Sequence, residues 1–209
     1  MFLRDGRLVY RIDGAETTLL SASEIRIPGG HNLENSMLSA LLALSMGVAP
    51  DVVNDTLRTF PGVEHRIEFV RELDGVRYIN DSKGTNPAST IRAIEAIAQP
   101  TVLILGGYDK HADFHELFSR FGTRVKAIVV LGQTKQQILD TARDAGYAGE
   151  IRDCDTFEET VAVCRALAAP GDAVLLSPAC ASWGMFDNYE QRGRIFKEIV
   201  NGYGTSALS

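Results

Sequence analysis

Between residues 76 and 203, short apolar runs alternate with longer stretches of helical periodicity, and few folds accommodate that rhythm. The runs are 76–79, 101–105, 125–131, a weaker 150–154, and 173–176. The stretches with helical spacing are 87–98, 113–121, 134–145, 156–168 and 188–203. Helical stretches of nine or more residues between strands, with their loops, make crossovers long enough to join parallel neighbours. The expectation is an α/β fold: a Rossmann-like, doubly wound, mostly parallel sheet. An antiparallel hairpin opens it, with 67–73 and 76–79 flanking the Asp74-Gly75 turn.

The preceding segment has a different pattern. Runs 8–12 and 17–20 around Asp13-Gly14 read as a hairpin. Leu33, Met37, Ala40, Leu41, Leu44 and Val48 then form one helical stripe, stopped by Gly47, and Pro50-Asp51 opens a shorter helix through Leu57. Phe60-Pro61-Gly62 reads as a junction, so the expected domains are 1–62 and 63–209.

Charge narrows the partners. The net charge of −6 comes with no Lys/Arg block, which removes the basic field that nucleic-acid binding requires. The longest charge-free run, 35–50, is too short and too polar to span a bilayer. Three cysteines without framework spacing (Cys154, Cys164 and Cys180) fit a reducing cytoplasm. Cys164 shares a helix stripe with Phe157 and Val161, as a core residue does; Cys180 has no partner in sequence that assigns it a role.

In a parallel sheet, ligands bind at the carboxyl ends of the strands. Three of the runs end in unusual loops: Asn80-Asp81-Ser82-Lys83-Gly84-Thr85-Asn86, Gly106-Gly107-Tyr108-Asp109-Lys110, and Ser177-Pro178-Ala179-Cys180-Ala181-Ser182-Trp183. Glycines, hydroxyls and two of the chain's five lysines there suit a small anion. Each loop also has a plainer reading. Asp81-Ser82 can cap a helix, Gly106-Gly107 can form a tight turn, and the third loop can be a structural turn. His111 and His115 lack further ligands at metal-site spacing, and His31 reads as local structure at a helix start. His65-Arg66 stands at the junction, where two lobes would close on a ligand. No Gly-Lys dipeptide occurs, so the chain has no GxxxxGK[ST] phosphate loop.

These loops, together with Gly30-His31-Asn32-Leu33-Glu34-Asn35, His65-Arg66-Ile67-Glu68 and Asn188-Tyr189-Glu190-Gln191-Arg192-Gly193, resemble the Mur ligases of peptidoglycan synthesis. The resemblance implies the end of a longer three-domain enzyme. Residues 1–62 would be the tail of its central ATP-binding domain, and 63–209 its C-terminal, amino-acid-binding domain. The implied reaction joins D-glutamate to UDP-N-acetylmuramoyl-L-alanine through an acyl phosphate, using ATP and Mg²⁺. The metal ligands are expected outside this chain, which by itself is expected to be inactive.

By motif position, Lys83 and Arg66 would be catalytic, and Asn32, Asn35, Arg66 and Asp81 would contact nucleotide. Thr85, Lys110, Ser182, Trp183 and Tyr189 would hold D-glutamate. Tyr189 stands where phenylalanine is common in the family, and Trp183 replaces a smaller apolar residue. The resemblance further implies a cytoplasmic enzyme, monomeric when whole, with small-molecule substrates and neither nucleic-acid nor membrane partners. Two rival readings remain open at this point. One is a stand-alone module binding nucleotides or acidic metabolites without catalysis. The other is a sibling glutamate ligase, such as one extending folate, although the Asn80–Asn86 segment speaks against it.

Overall fold

Four consecutive residues, Val102 to Leu105, are wholly excluded from solvent, as a strand covered on both faces requires. The computed structural model describes residues 1–12 and 14–204 of the chain. It forms two compact units, Met1–Gly62 and Val63–Ser209.

In the first unit, β1 (Phe2–Arg4), β2 (Arg7–Ile12) and β3 (Ala15–Ser21) form an antiparallel sheet in that order. Strand β1 was not among the sequence expectations: three residues are too few to show a period. Asp13, half of the expected turn, lies outside the described residues. Helices α1 (Gly30–Ser45) and α2 (Pro50–Thr59) follow. Leu8, Leu19, Leu20, Ala40, Leu44 and Val53 make the core of this unit. Val48, expected on the α1 stripe, falls beyond the helix and is exposed, because Gly47 turns the chain at φ 88°.

The second unit opens with β4 (Glu68–Leu73) and β5 (Val76–Asn80), an antiparallel hairpin. Asp74 and Gly75 both have positive φ, the conformation a two-residue turn needs to match strand twist. Next come α3 (Pro87–Ala96), β6 (Thr101–Gly107), α4 (His115–Ser119), β7 (Val125–Gly132), α5 (Lys135–Asp144), β8 (Glu150–Asp153), α6 (Phe157–Leu167), β9 (Ala173–Leu176) and α7 (Tyr189–Gly202). The sheet order is β4-β5-β9-β6-β7-β8, parallel except for the edge strand β4.

Residues of α3, α4 and α5, including Ile91, Ile94, Leu117 and Ile138, pack on one face of the sheet. Residues of α6 and α7, including Phe157, Val161, Cys164, Phe196 and Val200, pack on the other. Each such aliphatic burial stabilises by about 1.5–3 kcal/mol before chain entropy is counted. The fold is therefore α/β and doubly wound.

Helix α4 is shorter than the expected 113–121. The Asp109 and Asp113 carboxylates accept the His111 and His115 amides, so local side-chain turns occupy the helix's would-be first residues. Among the described residues, no helix is long and apolar enough to cross a membrane.

Candidate functional site

Strand β9 lies between β5 and β6, so the three unusual loops leave neighbouring strands at the same sheet edge. Chain reversal between β5 and β6 leaves a gap that β9 fills last, and such a switch point opens a crevice at the carboxyl ends. Helix α3 is capped by Asn86, whose Oδ1 accepts the Ser89 amide, not by Asp81 or Ser82. The double glycine serves close backbone approach. At Gly106 and Gly107, with φ 108° and 152°, a Cβ would collide with the carbonyls of Leu131 and Ala181.

Asp81 is 4% exposed. Its Oδ1 accepts the Ile67 amide (3.2 Å) and its Oδ2 lies 2.6 Å from the donor Ser177 Oγ. Burial pushes this carboxyl up to about 7, against the opposing pull of those hydrogen bonds and of Arg66 and Arg192. Asp81 was expected to touch nucleotide directly. Both its oxygens also accept hydrogen bonds within the chain, which ties Asp81 to the segment bearing Arg66, itself exposed. The packing is tight: a Cβ on Gly84 would sit 2.5 Å from both Asp81 Oδ2 and Ser177 Oγ. Gly84→Ala should therefore cost about 1–3 kcal/mol. An unchanged denaturant midpoint would show that this packing can give way.

His65, also expected at a ligand, is buried. Its Nδ1 meets Asn80 Nδ2 at 2.9 Å, and its backbone carbonyl accepts the Lys83 amide. Burial lowers its pKa, which favours a neutral ring. Asn80 also donates to Glu68 and accepts the Ser82 amide. Residues 65–68 are thus stapled to the loop that carries Lys83.

Sequence reasoning assigned no role to Arg192, which holds the other side. Its guanidinium is buried in helix α7 and donates to Ser82 Oγ (2.9 Å), Ser82 O (2.8 Å) and Cys180 O (3.2 Å). It therefore ties the β5 loop to the β9 loop. Burial lowers its pKa to about 10, still well above neutrality. A signal was present: Arg192, Phe196 and Val200 share the buried stripe of α7, an odd place for a charge.

At the rim, Lys110 Nζ lies 4.4 Å from the centroid of the Trp183 ring, and Tyr108 meets that ring edge-on at 5.5 Å. Lys83 Nζ lies 5.7 Å from the Tyr189 centroid. Ser182 is buried and its carbonyl accepts the Phe186 amide; Thr85 is half-buried. Ser182 and Arg192 also line a small cavity with Gly106, Gly107 and Met185. In the first unit, Asn32 is buried and donates to Pro28 O, while Asn35 is exposed.

The one His/carboxylate cluster among the described residues is Glu64, His65 and Glu68. It does not fit a metal ion. The Lys197 ammonium already bonds both carboxylates, at 2.6 and 2.9 Å. His111 and His115 each pair with a neighbouring aspartate and are exposed. Cys180 is buried against Thr134 with its thiol pKa raised by burial, an unreactive setting.

The solved structures similar to this chain share its fold. A UDP-N-acetylmuramate-alanine ligase from Thermotoga maritima aligns with TM-score 0.64 at 17% identity, over 90% of this chain and 40% of that one. A folylpolyglutamate synthase from Mycobacterium tuberculosis aligns with TM-score 0.65 at 14% identity, over 92% and 48%. Sequence likeness is greater. A protein of Thermoanaerobacter sp. named UDP-N-acetylmuramoylalanine--D-glutamate ligase is 48% identical over 95% of this chain and 44% of its own length. One of the same name from Alkaliphilus oremlandii is 46% identical over 96% and 44%. The chain spans less than half the length of these curated relatives. Residues 65–180 match the family model described as Mur ligase, glutamate ligase domain. The chain belongs to the Mur ligase family.

Proposed function

We propose that this chain is the amino-acid-binding portion of an ATP-dependent ligase that joins D-glutamate to UDP-N-acetylmuramoyl-L-alanine in cytoplasmic peptidoglycan precursor synthesis. On this reading, residues 1–62 are the tail of the ATP-binding domain and 63–209 the domain that brings in the amino acid.

One observation carries the proposal. Lys126, Lys135 and Lys197 are each bonded to carboxylates, whereas Lys83 and Lys110 have no ion pair among the described residues. Two uncompensated ammonium groups at one sheet edge favour an anionic ligand. The relatives' shared name supports D-glutamate as that ligand.

The chemistry then divides between two sets of residues. The carboxylate of UDP-N-acetylmuramoyl-L-alanine attacks the γ-phosphorus of ATP and ADP leaves, giving an acyl phosphate. Arg66 and Lys83 neutralise charge on the transferring group, a task of positioning and electrostatics. Asn32 and Asn35 face the adenine. The amine of D-glutamate then attacks the acyl carbon and phosphate leaves. Lys110, Thr85 and Ser182, with Trp183 and Tyr189 alongside, fix the amino acid so that this attack is effectively intramolecular. Among the described residues the one such acidic cluster is closed by Lys197, and Mg²⁺ on the phosphates would take its ligands from elsewhere in the enzyme.

Calorimetry tests the reading. D-glutamate should saturate one site, L-glutamate should bind far more weakly, and Lys110→Ala should abolish the D-glutamate heat. Equal heats for the two enantiomers, or full binding by Lys110→Ala, would overturn it. The 209-residue chain alone should neither hydrolyse ATP nor form amide.

A further inference from the structure

We infer that Trp183 is a positioning residue: its indole face holds the Lys110 ammonium at the rim of the site, leaving that charge free to receive a carboxylate of an acidic amino acid. The inference rests on the D-glutamate reading for its ligand, but not for its geometry.

Lysine is a flexible cation, and ordering it costs rotamer freedom. A carboxylate partner would order it and cancel its charge, as happens at Lys126, Lys135 and Lys197. An aromatic face attracts the ammonium through its quadrupole and carries no net charge. Lys110 stands over such a face, at 4.4 Å, and its N–H groups turned away from the ring stay available.

The platform is itself held. Tyr108 packs edge-on against Trp183, and the Tyr108 amide donates to Ala181 O at 2.9 Å. That bridge links the two loops two residues from Lys110 on one side and two from Trp183 on the other. The same device recurs where Lys83 faces the ring of Tyr189. Both free lysines are thus held by rings from the segment after β9, and both stay uncompensated.

The sequence contains a single tryptophan, so the test has a built-in reporter. Lys110→Met should shift the tryptophan emission of the unliganded chain. With the lysines reductively ¹³C-methylated, the Lys110 methyl resonance should lie upfield of the other exposed lysine signals, and Trp183→Leu should remove that displacement. Trp183→Leu should also weaken D-glutamate binding about fivefold, with Trp183→Phe restoring part of the loss.

A Lys110 resonance with no ring-current displacement, or equal D-glutamate affinity in Trp183→Leu, would overturn the inference. If the displacement is present and lost in Trp183→Leu while D-glutamate fails to bind the unmodified chain, the positioning stands and the D-glutamate reading falls.

Discussion

Replacing Arg192 with methionine should lower the stability of the second unit by about 2–5 kcal/mol, although the two side chains have similar reach. The guanidinium is 2% exposed and makes three hydrogen bonds, two of them to backbone carbonyls of different loops. Methionine fills much of the space but leaves Ser82 O and Cys180 O short of a donor in a buried setting. An orphaned acceptor there costs about 1–3 kcal/mol. Arg192→Lys should rescue little, since one ammonium cannot reproduce a planar fork that meets Ser82 twice and Cys180 once. Denaturant melts of the wild type and both variants measure this. A loss below 1 kcal/mol in Arg192→Met would mean that the loops keep their spacing without the clamp.

Much of the fold was legible because its signals are local. Runs such as 101–105 and 125–131 are apolar throughout, since the sheet they form is covered on both faces. Asp74-Gly75 marked its hairpin by turn chemistry, and helical spacing marked α7. What local signals cannot give is strand order. That β9, last in sequence, enters between β5 and β6 decides which loops share an edge, and it depends on pairing partners about 70 to 100 residues away.

The candidate site was legible to the same degree. Lys83, Lys110 and the three loops stood out by composition. The internal bonds of Asp81 and the clamp of Arg192 did not, because hydrogen bonds between Asp81 and Ser177, or Arg192 and Ser82, span 96 and 110 residues. The lysine–aromatic pairing was hidden for the same reason: Lys110 and Trp183 come from different loops.

The second large effect concerns Asp81 and pH. Its folded-state pKa, near 7, lies above the ordinary aspartate value of 3.8, because burial penalises the ionised form more than its hydrogen bonds favour it. Between those two values the folded chain holds a proton that the unfolded chain has released. Stability from this group is therefore complete below pH 3.8 and is lost as pH rises through 7. The total is up to about 4 kcal/mol.

Other carboxylates act in the opposite sense. Glu16, for instance, has its pKa lowered by Arg4 and Arg11. Asp81 is therefore isolated by comparison with Asp81→Asn, which keeps the shape and cannot ionise. Wild-type stability relative to Asp81→Asn should fall steadily from about pH 4 to pH 7 and level off above. Ser177 can serve either state, as it donates to the carboxylate or, when Asp81 is protonated, accepts from it and turns its own O–H to donate to Thr90 Oγ1 at 2.9 Å. Parallel stability curves for the two proteins over that range would mean that Asp81 ionises as freely in the fold as in water, and that Arg66 and Arg192 offset its burial.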